Sequence, residues 1–206
     1  MLPLGIAILA ALVVPVATFG SYKRLFETNI HWGWLLAAGL AIQLTLEYYT
    51  LPRRDWDTVG FGLLVASYVL ILGFAARNVV LRGMSIVLIG IACNAVVIAL
   101  NQGMPVKYPS EWRNQSWTQP TVKHHPQQHG EQLLFLSDII ILKHPFDTVM
   151  SFGDLILAVG LCDVAFNASR DPRRRRRKAQ HGVARPTTQS YARRSPETRQ
   201  PTGVRT

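Results

Sequence analysis

Five side chains able to move a proton or make strong hydrogen bonds lie within or beside long apolar runs: Gln43, Glu47, Asn94, Asp154 and Asp163. Such groups are expensive in hydrocarbon and usually face the interior of a helix bundle. Gln43 and Glu47 are four residues apart and share one helix face. Glu47, beside Tyr48 and Tyr49, either reaches interfacial water or joins a site. Asn94 sits mid-run, as an interhelical hydrogen-bond pin or as part of a polar pocket. Ser151 and Asp154 have capping-box spacing, which accounts for Asp154 as a cap whose carboxylate faces the positive end of a helix dipole. The alternative is that this helix N-terminus forms part of a site. Asp163, nine residues further on, falls on the opposite face, so the two acids form no paired-carboxylate centre. It is placed instead to pair with Lys23, Arg24, Arg77 or Arg170.

A second group lies between the last two apolar runs: His124, His125, His129, Glu131, Asp138 and His144. Imidazole and carboxylate suit zinc, but no His-Glu-x-x-His spacing occurs, and the group reads as a solvated loop. Neither a metal nor an organic cofactor is expected. Phosphate-binding loops, dinucleotide fingerprints, nucleophile elbows and Cys-x-x-Cys pairs are absent from the sequence. Catalysis would therefore rest on Asp138 or Asp154 as acid or base, and would require one of them to occupy a cleft that raises its pKa.

The elements that must position these residues are apolar segments: Leu2–Phe19, Trp34–Leu46, Val59–Ala76, Met84–Leu100 and the more polar Phe152–Phe166. Crossing about 30 Å of hydrocarbon takes roughly 20 mostly apolar residues, which the first, third and fourth reach with their flanks. The second reaches it with Trp32 and Tyr48–Tyr49 as interfacial ends, and the fifth if it runs from about Ser151 to Asn167, the alternative being four spans and a surface helix. The expected fold is all-α, a bundle of about five transmembrane helices over residues 1–167. The first run lacks a preceding positive region, and Lys23 and Arg24 follow it, so it reads as an uncleaved anchor. Lys23, Arg24, Arg77, Arg82 and the run Arg173–Lys178 put the N-terminus outside and the C-terminus in the cytoplasm. Arg53 and Arg54 oppose that assignment but are offset by Asp55 and Asp57. Residues 101–150 then form an extracytoplasmic loop. Within it, the eleven-residue run Gln132–Leu142 is too short to span and reads as a re-entrant or interfacial helix, or as a segment packed against the bundle, ended by Pro145. No strand pattern is expected.

Charge is divided sharply along the chain. The whole carries +10, and from Ser169 onward twelve Lys or Arg face only Asp171 and Glu197. Residues 168–206 hold almost nothing apolar and read as a disordered cytoplasmic tail. Directly after a span, Arg173, Arg174, Arg175, Arg176, Arg177 and Lys178 fit anionic lipid headgroups, worth about 1 kcal/mol per basic residue. No interleaved aromatics support nucleic acid as the partner. Cys93 and Cys162 both lie in apolar runs and read as small hydrophobes.

Four elements occur in order: Asn94, then Asn101-Gln-Gly-Met-Pro-Val106, then Phe135-Leu-Ser-Asp-Ile-Ile140, then Met150-Ser-Phe-Gly-Asp-Leu155. This ordered set resembles a bacterial multi-pass membrane family known as domain of unknown function 5317. The resemblance covers roughly residues 1–167 and implies a place in the plasma membrane, but no activity. It also implies where a site would be. Asn94, Asn101, Asp138, Ser151 and Asp154 would either line a polar pocket at the outer mouth of the bundle or only cap helices and tie down the loop. Function is thus expected to be that of a small transport-related or scaffolding membrane component, with a membrane partner not identified. The alternative is a membrane enzyme acting on a lipid or lipid-linked substrate at the outer face.

Overall fold

The computed structural model describes residues 2–48, 57–112, 118 and 120–170. It is mostly helical, with six α-helices: α1 (Leu2–Ala17), α2 (Tyr22–Phe26), α3 (Gly33–Tyr48), α4 (Asp57–Arg77), α5 (Met84–Asn101) and α6 (Phe152–Ala168). Each of the five long helices covers one of the apolar runs, and α2 is a single short turn-and-a-half in the first connection. Two of them, over Thr58–Arg77 and Met84–Asn101, are long and apolar enough to cross a membrane; Pro3–Ala17 and Gly33–Glu47 are apolar but shorter. The basic tail and the Arg53–Arg54 pair lie outside the described residues.

The long helices pack in an arc. Helix α6 lies between α1 and α5, α5 also packs on α4, and α4 on α3. No comparable packing joins α1 to α3, so these two are the ends of the arc. Its inner side carries a cluster formed by Leu35, Ile71, Phe74, Ala75, Met84, Val87 and Ile91. A second cluster, around Leu46, Leu64, Val97, Ile98 and Met104, anchors the loop end.

Helices α5 and α6 run antiparallel with their backbones in contact. A Cβ on Gly90 would stand 2.6 Å from the Leu157 nitrogen, and one on Gly160 2.6 Å from the Val87 nitrogen. Any larger residue at either position would force the helices apart, which is how small residues permit close helix packing.

At the end away from the long loop, Asn78 closes the bundle. Its Oδ1 accepts from the His31 N–H at 2.8 Å, and its Nδ2 donates to the His31 and Phe74 carbonyls at 2.7 and 2.8 Å. The Ser21 N–H donates to the Ser169 carbonyl at 2.9 Å at the same end.

The long connection departs from expectation in two ways. It contains four three-residue strands where none was expected. Strands β1 (Met104–Val106) and β2 (His124–Pro126) pair in parallel, with Met104 opposite His124. Strands β3 (Ile140–Leu142) and β4 (Thr148–Met150) form an antiparallel hairpin. Nor do residues 132–142 form a re-entrant or interfacial helix. A left-handed Leu133 (φ 55°) admits only the 3-10 turn Leu134–Leu136, and Ile140–Leu142 pairs with Thr148–Met150 instead. Isoleucines suit a pleated strand better than a short helix that must nucleate alone.

Candidate functional site

The site is built at the loop end of the arc. Helix α5 ends on a left-handed Gln102, followed by Gly103 at φ 146°. A side chain on Gly103 would stand 2.9 Å from the His125 ring, so only glycine lets the chain turn there into β1. On one flank β1 holds β2, and on the other it exchanges hydrogen bonds with residue 138: the Asp138 N–H donates to the Pro105 carbonyl at 3.1 Å, and the Lys107 N–H to the Asp138 carbonyl at 2.9 Å. Strand β1 thereby brings Lys123, His124 and Asp138 over the inner side of the helices.

Asn94, Ser151 and Asp154 form a closed ring of hydrogen bonds. Asp154 N–H donates to Ser151 Oγ at 2.9 Å, and Ser151 N–H to Asp154 Oδ2 at 3.1 Å, completing the capping box at the start of α6. Ser151 Oγ donates to Asn94 Oδ1 at 2.9 Å, and Asn94 Nδ2 to Asp154 Oδ1 at 2.8 Å. Asn94 therefore joins α5 to α6, and the cap and the interhelical link are one structure.

A cavity of about 540 Å³ opens beside this ring. One part is apolar, walled by Leu36, Leu40, Ile71, Phe74, Met84, Val87, Ile91, Leu157 and Leu161. The other carries Gln43, Glu47, Tyr68, Asn94, Tyr108, Lys123, His124, Asp138 and Asp154, with Asp147 also on its wall. Pro3, Leu4 and Ile8 of α1 line it together with the α3 residues. Two ion-pair contacts cross the polar part: Lys123 Nζ lies 4.0 Å from Glu47 Oε2, and His124 Nε2 lies 3.7 Å from Asp138 Oδ2.

Burial governs protonation here. Asp138 is 6% exposed, and its carboxyl is pushed well above the usual range by burial and then by the neighbouring Asp154 charge, with Lys123 acting the other way. Burial and then the Lys123 charge hold His124 well below the ordinary imidazole value. Burial also lowers Lys123, against the pull of Glu47, Asp154 and Asp138. Tyr108 rises to about 12, first through burial and then through the charges of Asp138 and Glu47. Each of these shifts favours the uncharged form of its group.

Of the five residues singled out in the sequence, Asn94, Asp138 and Asp154 line the cavity. Ser151, fully buried, stands behind them and orients the other two. Asn101 stands apart: it donates to the Gln132 carbonyl at 2.9 Å and accepts from the Gln132 N–H at 2.8 Å, fixing the loop to the end of α5. Asp163 takes its hydrogen bond from Asn167 Nδ2 at 2.7 Å within α6, and among the described residues it pairs with no base. The histidines divide among separate partners, His125 with Glu131 at 2.6 Å and His144 with Asp147 at 3.8 Å. Among the described residues no three His, Cys, Asp or Glu side chains are grouped to hold a metal ion.

Five polar cavity residues escaped the sequence reading: Tyr68, Tyr108, Lys123, Asp147 and Thr148. Tyr68 carried a usable signal, a phenol in the middle of an apolar helix. Lys123 carried none, because its position depends on the pairing of β1 with β2 across about twenty residues of chain.

No curated protein and no solved structure matches the chain. A family profile does match, over residues 27–165, from ahead of α3 to near the end of α6 and across every polar residue lining the cavity. The chain therefore belongs to the family of unknown function DUF5317.

Proposed function

We propose that the protein is a five-span integral membrane protein whose loop end binds an amphiphilic small molecule at the outer face, as a transport-related component. The carrying observation is the cavity itself, apolar along one part and lined with hydrogen-bonding and ionisable groups along the other. Pockets of such size and mixed lining are the usual form of small-molecule sites. A purely scaffolding role gives no reason for it.

Membrane residence is supported by the outward faces of the helices. Only 33% and 39% of the two longest apolar windows are buried, and Leu9, Val69 and Val159 are 64%, 62% and 60% exposed. Helices apolar on every side belong in lipid or in the core of a larger body. Orientation follows from charge: Lys23, Arg24, Arg77, Arg82 and Arg170 fall at the end closed by Asn78, and the carboxyls of the cavity at the other. Contact of Arg173–Lys178 with anionic lipid belongs to the same proposal.

Single cysteines at Ser110, Gln128 and Ser195, placed after Cys93 and Cys162 are replaced, test the topology. Labelling of the first two from outside, and of the third only after permeabilisation, is expected. Labelling of Gln128→Cys and Ser195→Cys from the same side would overturn five spans. For the binding role, Ile91→Trp fills the apolar part and is expected to abolish saturable uptake of octyl-chain amphiphiles by the reconstituted protein. Uptake that survives the substitution refutes this cavity as the site.

A second reading, an enzyme acting on a lipid at the outer face, is favoured by one observation: Asp138 is a buried carboxyl 3.7 Å from His124 Nε2, its pKa raised by burial. It rests on Asp138 alone, since both Asp154 oxygens are engaged by Asn94 and the cap.

A further inference from the structure

Two polar side chains in the cavity are built for something the protein does not itself supply. Gln43 is 6% exposed and lines the cavity, yet among the described residues its amide has no hydrogen-bond partner. No polar side-chain atom in the described residues is sealed away without a partner, so the Gln43 amide opens onto the cavity. Tyr68 lines the same wall, and its hydroxyl likewise finds no partner among the described residues. Gln43, buried, and Tyr68, half-buried, thus turn unspent hydrogen-bonding groups toward one space, where a ligand with matching groups would engage them.

The charges around that space set the sign of the ligand. Glu47, Asp138 and Asp154 line the polar part and Asp147 stands on the wall, against one lysine and one histidine. The positive end of the α6 dipole, which would otherwise attract an anion, is already occupied by Asp154 in the capping box. Lys123 lies 4.0 Å from Glu47, so the cation present is offset by a carboxylate. What remains is a set of acceptors: the Asp138 carboxyl, the Gln43 carbonyl and the Tyr68 phenol oxygen. Tyrosine faces add attraction for a cation. An anionic headgroup would meet like charge on Glu47 and Asp154.

Resting on the binding role proposed above, we infer that the ligand is an alkylammonium amphiphile, its N–H donors held by Gln43, Tyr68, Glu47 and Asp138 and its chain lying along Leu40, Ile71 and Ile91.

The test uses the full chain in lipid nanodiscs, with empty nanodiscs as the blank, and three probes of equal tail: octylammonium, octanol and octanoate. Octylammonium is expected to bind saturably, at one site per chain, at least about tenfold more tightly than octanol, with octanoate weakest. Gln43→Leu and Glu47→Gln are each expected to weaken octylammonium about tenfold and to leave octanol unchanged. Lys123→Met removes the competing cation and is expected to tighten octylammonium, a gain that misfolding cannot mimic. Equal binding of the three probes, or preference for octanoate, overturns the inference and leaves the amphiphile site standing. Absence of saturable binding for all three overturns both.

Discussion

Two asparagines, Asn78 and Asn94, occupy equivalent situations at opposite ends of the bundle. Each is buried, 2% and 6% exposed, and each ties two segments together. Asn78 bonds only to backbone: the His31 N–H and carbonyl and the Phe74 carbonyl. Asn94 bonds only to side chains, the Ser151 hydroxyl and the Asp154 carboxylate, and borders the cavity. Backbone groups must be satisfied wherever the chain goes, so an asparagine serving them is structural. One spent on side chains fixes the orientation of groups that face a space. The end with Asn78 closes the molecule; the end with Asn94 shapes it for a ligand.

The sharpest way to break that comparison is to replace both. Asn78→Leu strands the His31 groups and is expected to cost about 3 kcal/mol of stability. Octylammonium affinity of the folded fraction should stay unchanged. Asn94→Leu is expected to cost about 2 kcal/mol and also to weaken octylammonium about tenfold, because Asp154 loses its orientation. Thermal melts of the reconstituted variants, paired with binding, read both quantities. If Asn78→Leu weakens binding as much as Asn94→Leu, the division of roles is wrong.

A smaller effect sharpens the same contrast. Ser151→Ala removes the cap and the donor to Asn94 and is expected to cost about 1 kcal/mol, with a severalfold loss of affinity. If stability falls with no change in binding, Ser151 is a cap and nothing more.

The smallest expected effect is on pH. Asp138, with its raised pKa, must lose its proton to serve an ammonium fully, in surroundings set by Glu47, Tyr68, Tyr108, Lys123, His124 and Asp154. Lys123, with its lowered pKa, ceases to compete as pH rises. Both act in one direction, so octylammonium affinity is expected to climb severalfold as pH rises through the Asp138 transition. An affinity that falls over this range would remove Asp138 from the site.

The helices were legible in the sequence because each is a long apolar run, and length alone separates such runs from strands. The cap at Ser151 and Asp154 was legible too, since its geometry is local and its residues stand three apart. The strands were not. Three-residue segments such as Met104–Val106 carry no periodicity, and their pairing with His124–Pro126 is set by the end of α5 and not by their own composition. The run 132–142 misled for the opposite reason: its apolar content suited a helix, while the backbone at Leu133 and the hairpin with Thr148–Met150 divided it. Lys123 entered the cavity only through that non-local pairing. Asn101 ties the loop to the end of α5, since an amide at a helix end serves a loop as readily as a ligand.

The contact between α5 and α6 at Gly90 and Gly160 has a mechanical meaning. Backbone meets backbone there, with the β-branched Val87 the one side chain close to Gly160. The pair behaves as a single beam, and Asn94 and Asp154 are mounted on it at a fixed separation. Change in the capacity of the cavity is then expected at α1 and α3, the two ends of the arc, which no packing comparable to that of the other long helices joins. The beam holds the reference geometry, and these two helices are the jaws.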